Sequence, residues 1–178
     1  LTEALKLHYK VTESYYFLGV AHESRNESRN GENDLDLAKK NYTYAIDIPP
    51  KNYPPACFRF GRLLCKEGKY KEAIPYLTKA LVDKEAEHYT EALTLRAKAQ
   101  HELNNYKEAI ADWTEAIKIN PQPATSFLGL AQAQLATKQY SEAIKGFTEA
   151  DQLDSSLVDD TFRQDHSAAV CGQAEVLM

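Results

Sequence analysis

Cysteine is scarce in this 178-residue sequence. Cys57, Cys65 and Cys171 are the only three, an odd set without paired spacing. That argues against a disulfide scaffold and for reduced thiols in a cytoplasmic or nuclear compartment. Long apolar runs are missing as well. None approaches the roughly 20 residues a membrane-spanning helix needs, and no signal-peptide pattern is visible. The chain opens on Leu1 rather than Met, which reads as a segment cut from a longer protein. Positive charge is in deficit, with a formal net charge of −5. Nucleic-acid or membrane-surface binding needs a concentrated basic face, so neither partner is expected. Glycine and proline number seven each, few enough to suit a packed helical array. No glycine-rich phosphate loop, no paired Cys or His metal spacing and no nucleophile elbow occurs. The five histidines, His8, His22, His88, His101 and His166, are scattered and read as surface or groove residues. Catalytic, cofactor and metal sites are therefore not expected, and neither is enzymatic activity.

What the sequence does have is self-similarity. Tyr106 to Pro121 reads Tyr-Lys-Glu-Ala-Ile-Ala-Asp-Trp-Thr-Glu-Ala-Ile-Lys-Ile-Asn-Pro, and close copies begin at Tyr70 and Tyr140. Ala73, Ala109 and Ala143 lie 36 and 34 residues apart, a period that marks a solenoid. Within the unit, Tyr106, Ala109, Ile110, Trp113, Ala116 and Ile117 recur at three- and four-residue steps, one face of a helix that Asn120 and Pro121 stop. Large residues alternate with small ones on that face, as close helix packing requires. Trp113 and Cys57 accordingly read as core. A second helical run precedes each copy: Cys57, Phe60, Gly61 and Leu64 in one case, Phe127, Leu130, Ala131 and Leu135 in another. Short polar turns such as Glu67-Gly68-Lys69 and Asn104-Asn105 join the two. Each unit is a helix–turn–helix hairpin that must stack on the next to bury its apolar face.

These residues resemble the tetratricopeptide repeat. The small first-helix residue is Gly19, Gly61, Ala97 and Ala131; the first second-helix alanine is Ala38, Ala73, Ala109 and Ala143. The bulky slot holds Tyr42, Leu77, Trp113 and Phe147, and the next alanine is Ala45, Ala80, Ala116 and Ala150. Pro50 and Pro121 supply two terminal prolines, while Glu85 and Ser155 depart from the pattern. A Thr precedes the later alanine in every copy. The resemblance implies an all-α, right-handed solenoid of antiparallel helix–turn–helix hairpins with no sheet, its first helices lining a concave face that binds peptides.

In chain order, residues 1–11 read as the second helix of a truncated preceding repeat, with a new first helix starting near Thr12. Residues 12–53 form a repeat carrying a seven-residue insert near 23–33, polar and expected to be a solvated loop with a turn at Asn30-Gly31. Further repeats cover 54–89, 90–123 and 124–157. Between Val82 and Tyr89 either the helices extend or the turn is wider. Residues 158–178 are half of a further repeat, with Ala168, Cys171, Gly172 and Glu175 as its first helix, or else a capping helix.

First-helix residues that do not pack are candidates for binding. Phe58, Arg62 and Lys66 sit four apart on a stripe separate from Cys57, Phe60, Gly61 and Leu64. Matching positions hold Tyr16 in the preceding repeat, Lys98 and His101 in the next, and Leu128 and Gln132 after that. This apolar-plus-cationic strip suits an extended or helical segment bearing acidic residues beside an aromatic or aliphatic anchor. Glu13, Glu23, Glu91 and Glu102 lie nearby, and the competing reading is that they simply pair with the cations. Some relatives of the resembled family clamp the acidic tails of chaperones with Asn, Lys and Arg. The equivalent slots here (Tyr16, Val20, Arg59, Glu91 and Leu95, or Phe58, Arg62, Leu95, Thr125 and Gly129) lack that clamp. The expectation is a non-enzymatic protein–protein interaction scaffold. The alternatives are a structural or self-associating segment of a longer solenoid, sticky at Leu1, Leu5, Val176 and Leu177, and a regulatory domain of a larger protein.

Overall fold

The computed structural model describes residues 3–25, 28–29, 32–49, 51–121 and 123–178. Pro50 and the Asn30-Gly31 turn lie outside them, as does Leu1. Among the described residues are nine α-helices: α1 (Glu3–Arg25), α2 (Asp34–Asp47), α3 (Pro54–Lys66), α4 (Tyr70–Ala80), α5 (Tyr89–Glu102), α6 (Tyr106–Ile119), α7 (Ala124–Ala136), α8 (Tyr140–Leu153) and α9 (Asp160–Leu177). None is long and apolar enough to cross a membrane. The chain divides into two compact units, Leu1–Ala92 and Leu93–Met178, with the division in the first turn of α5.

In the first unit α1 packs on α2, α2 on α3 and α3 on α4. Ala38, Tyr42 and Ala45 of α2 and Ala73, Leu77 and Ala80 of α4 are completely buried. Gly19 is required by close approach: a Cβ there would stand 2.5 Å from the Tyr42 ring. In the second unit Ala97, Ala109, Trp113 and Ala133 form one apolar cluster. Ala131, Ala143, Phe147, Ala150, Phe162 and Ala169 form another. The threonine of three repeats has a local reason. Thr43, Thr114 and Thr148 lie on exposed faces and donate to the carbonyls of Lys39, Ile110 and Ile144, one helical turn back.

The hairpin turns share one device. Gly68, Asn104 and Lys138 adopt positive φ of 72°, 61° and 61° between the two helices of their repeats. Two other boundaries are fixed by end chemistry. Pro54 and Pro55 open α3, where their missing N–H groups cost nothing. The Asp159 carboxylate accepts from the Phe162 N–H at 2.8 Å to start α9.

Four expectations need correction. First, α1 runs unbroken past Thr12, where a new helix was expected to start, because Tyr9 to Tyr15 contains neither Gly nor Pro to stop it. Second, the insert is not free of sheet. Ser28–Arg29 (β1) pairs antiparallel with Glu32–Asn33 (β2), and a two-residue connection is the length such ribbons use. Asn33 then caps α2 by accepting from the Leu35 N–H. Third, α9 covers Asp160–Leu177, within the expected 158–178, but its phase differs. Phe162, Ala169 and Gly172 face inward, while Ala168 and Cys171 are exposed. Fourth, Phe58 is not on an unpacked stripe; it is 5% exposed, and Phe60 is the half-buried ring, set edge-on to Tyr76. The Val82–Tyr89 question resolves as a wider turn, since α4 stops at Ala80.

Candidate peptide-binding site

Steps of seven residues along α1 bring Tyr9, Tyr16 and Glu23 to neighbouring positions on one side of that helix. Helix α3 presents Phe58, Arg59 and Arg62 in the same unit. Glu23, on the last turn of α1, ties three helices together. Its carboxylate accepts from Arg62 Nη2 at 2.6 Å and from the Tyr42 hydroxyl at 2.7 Å, and Arg59 Nη1 stands 3.6 Å away. Burial pushes the Glu23 carboxyl upward. The hydrogen bonds from Tyr42 and Arg62 and the two guanidinium charges outweigh that, and the net shift is down. Tyr42, completely buried and bonded to this carboxylate, is pushed far the other way.

Phe58 lies beneath this network. His88 stacks on its ring with centroids 5.1 Å apart and planes 29° from parallel, and the Arg62 guanidinium carbon stands 5.5 Å from its centre. Burial pushes the His88 pKa below its ordinary 6.5, against the opposing pull of a hydrogen bond at Ala80 and the carboxylates of Asp83, Glu87 and Glu91. Over this floor opens a cavity of about 210 Å³, lined by Tyr16, Pro55, Phe58, Arg59, Arg62, Glu87, His88 and Glu91. A second cavity, of about 420 Å³, shares Pro55 and His88 and adds Tyr9, Thr12, Lys51, Asn52, Tyr53, Asp83 and Ala86. Three tyrosines stand between the two: Tyr53 meets Tyr9 and Tyr16 edge-on at 6.2 and 5.6 Å. Burial and the nearby Tyr9, Glu13 and Tyr16 push the Tyr53 hydroxyl up to about 12.

The expected site residues therefore separate. Tyr16, Phe58 and Arg62 line one cavity, Phe58 as its buried floor. Arg62 is already paired, with Glu23 and, at 3.6 Å, with Glu91. Lys66 is exposed on the last turn of α3. The other four belong to the second unit. Lys98 is exposed; the His101 ring packs on Tyr106 and Trp113 at 5.3 and 5.7 Å. Leu128 packs on the Phe147 cluster, and the Gln132 amide donates to Asp165 at 3.0 Å. Sequence reasoning left Tyr9, Tyr53 and His88 out of the site, reading His88 only as a surface or groove residue. The signal for Tyr53 was present in its bracketing prolines, which fix the chain where the ring must project.

Two tetratricopeptide-repeat family profiles match the chain, over residues 56–101 and 90–123. These overlapping matches, with in-phase copies of the same hairpin on either side, support a tetratricopeptide repeat family. Among curated proteins it is 27% identical over 137 residues to a DnaJ homolog subfamily C member 7 homolog from Dictyostelium discoideum, covering 69% of this chain and 25% of that one. It is 34% identical over 89 residues to a Protein SGT1 homolog from Bos taurus, covering 49% and 25%. The chain thus spans about a quarter of the length of these relatives. Among solved structures, MamA superposes with a TM-score of 0.76 at 19% identity, covering 93% of this chain and 84% of that one. YrrB, described as a TPR protein with an unusual peptide-binding site, gives 0.73 at 16%, covering 96% and 87%. At such identities the likeness is one of fold. The chain is an all-α helical-repeat protein of the kind that serves as a protein-interaction scaffold.

Proposed function

We propose that the chain binds a peptide or helical segment of a protein partner against the α1 and α3 side chains of its first unit. The observation that carries this reading is the pair of adjoining cavities walled by Tyr9, Tyr16, Tyr53 and Phe58. Aromatic side chains offer large contact area at little entropic cost, and open cavities of this size admit one or two side chains of an extended segment. Tyr9 is 51% exposed at the rim, an available first contact. Lys66, exposed and without an ion-pair partner among the described residues, would tune on-rate and salt dependence more than affinity. The test is affinity capture with the unaltered chain and with Tyr9→Ser and Tyr16→Ala, followed by titration of the captured partner. Binding that weakens for both variants supports the reading, and unchanged binding moves the site elsewhere.

A second reading, self-association, is favoured by a separate apolar surface. Leu7, Val11 and Tyr44 are 64%, 38% and 45% exposed around a third cavity, of about 510 Å³, between α1 and α2. Val176 and Leu177, at 70% and 76%, add exposed apolar area in the second unit. Leu1 and the Leu5 side chain lie outside the described residues. Sedimentation at rising concentration should show weak association that Leu7→Lys removes; a strictly monomeric chain would retire this reading.

A further inference from the structure

The geometry points to a cationic anchor: the two adjoining cavities of the first unit take a Lys or Arg side chain of the bound segment, held between tyrosine rings and carboxylates. This rests on the peptide-binding reading above and reverses the acidic ligand that the sequence suggests. The reversal follows from where the charges go. Both guanidinium groups of the first cavity are already occupied by an internal carboxylate, Glu23, whose side chain is only 10% exposed. Arg62 is further engaged by Glu91. An incoming carboxylate would have to displace Glu23 from Arg62 and from the Tyr42 hydroxyl, leaving a buried charge without partners.

Around the first cavity two guanidinium charges face three carboxylates, those of Glu23, Glu87 and Glu91, while His88 is held neutral at pH 7. In the second cavity Lys51 and Asp83 offset one another, and Glu13 acts on Tyr53 from alongside. The charge left over is negative. It lies next to the π faces and hydroxyls of Tyr9, Tyr16 and Tyr53, which attract cations and stand within 6.2 Å of their neighbours. Glu87 is exposed, and Glu91 remains 53% exposed beside its 3.6 Å contact with Arg62, so both can meet a ligand without first being dug out of the fold.

The test uses two fluorescein-labelled octapeptides, identical except for a central Arg-Tyr-Arg in one and Glu-Tyr-Glu in the other. Each is titrated against the full chain by anisotropy, with the tyrosine and His88 ring resonances followed in parallel. The Arg peptide should bind about ten-fold more tightly and shift the Tyr9, Tyr16 and Tyr53 rings. The variant Glu87→Gln/Glu91→Gln should weaken it about five-fold and, by lifting repulsion, tighten rather than weaken the Glu peptide. Tighter binding of the Glu peptide, with the same rings shifting, would overturn the cationic anchor and leave the peptide-binding reading standing. If neither peptide moves these rings, both readings fall. An Arg preference that survives the double substitution would also overturn the assignment, by removing the carboxylates from it.

Discussion

Tyr42 and Phe147 occupy the same slot of two repeats, one in each unit, and both are completely buried. Their surroundings differ by one hydroxyl. Phe147 meets Phe162 edge-on at 5.2 Å and the His166 ring at 5.8 Å, beside a cluster otherwise made of alanines, Phe127 and aliphatic side chains. Tyr42 reaches Glu23, and through it two arginines. The repeat backbone thus accepts either an apolar plug or the foot of a charged network at the same place. The second unit has its own part-buried pair, Arg96 with Asp112 at 2.7 Å through both Nε and Nη2, made beside the slot residue Trp113 and not by it. The comparison teaches that the aromatic in this slot sets packing, while its para substituent decides whether the slot also organises charge.

The sharpest way to break the comparison is to remove the acid. Glu23→Leu leaves Arg62 and the Tyr42 hydroxyl without their acceptor and should cost about 3–5 kcal/mol, read from urea unfolding. An unaltered midpoint would mean that the network is solvated and does not hold the helices. Exchanging the slot residues comes next. Phe147→Tyr places a hydroxyl in an apolar cluster and should cost about 1–3 kcal/mol, whereas Tyr42→Phe loses one charge-assisted hydrogen bond and about 1.5–3. If Phe147→Tyr proves neutral, the second slot has a latent polar partner and the contrast dissolves. Within a single helix the same logic separates faces. Ala109→Leu, at a site with no exposure, should cost about 1–3 kcal/mol, and Glu108→Leu, exposed beside it, about 0.5 or less.

The smallest effect is one of pH. Folding holds His88 neutral below its ordinary pKa of 6.5, so the unfolded chain takes up the proton first. The contribution of that site is fully present above pH 6.5 and falls as pH drops toward the folded value. Glu23, shifted below 4.5, adds a second loss in the same direction at lower pH. A His88 ring resonance titrating above 6.5 would contradict this.

Much of the fold was legible because the alanines of the second helices do one job. Ala38, Ala73, Ala109 and Ala143 each press on a neighbouring helix, and their spacing repeats with the backbone. Helix α3 was harder to read because it is buried over a wide arc, from Ala56 through Phe58 to Leu63 and Leu64. A helix packed on two sides has no single apolar stripe, so periodicity could not tell Phe58 from Phe60. In α9 the adjacent Ala168 and Ala169 offered two phases equally, and only packing on α8 selects the second. The Glu23–Arg62 pair spans 39 positions and depends on how α1, α2 and α3 stack, which no local pattern encodes.

The positive-φ turn at Gly68, Asn104 and Lys138 reverses the chain in three of the repeats, so each of these hairpins is closed by contacts between residues near in sequence. Under load this has a mechanical meaning. A chain held by its two ends need not break one large sheet or barrel at once; it can surrender hairpin by hairpin, each release paying out the 34 to 36 residues that separate equivalent alanines. At roughly 3.3–3.6 Å per extended residue, that is a lengthening on the order of 100 Å per step.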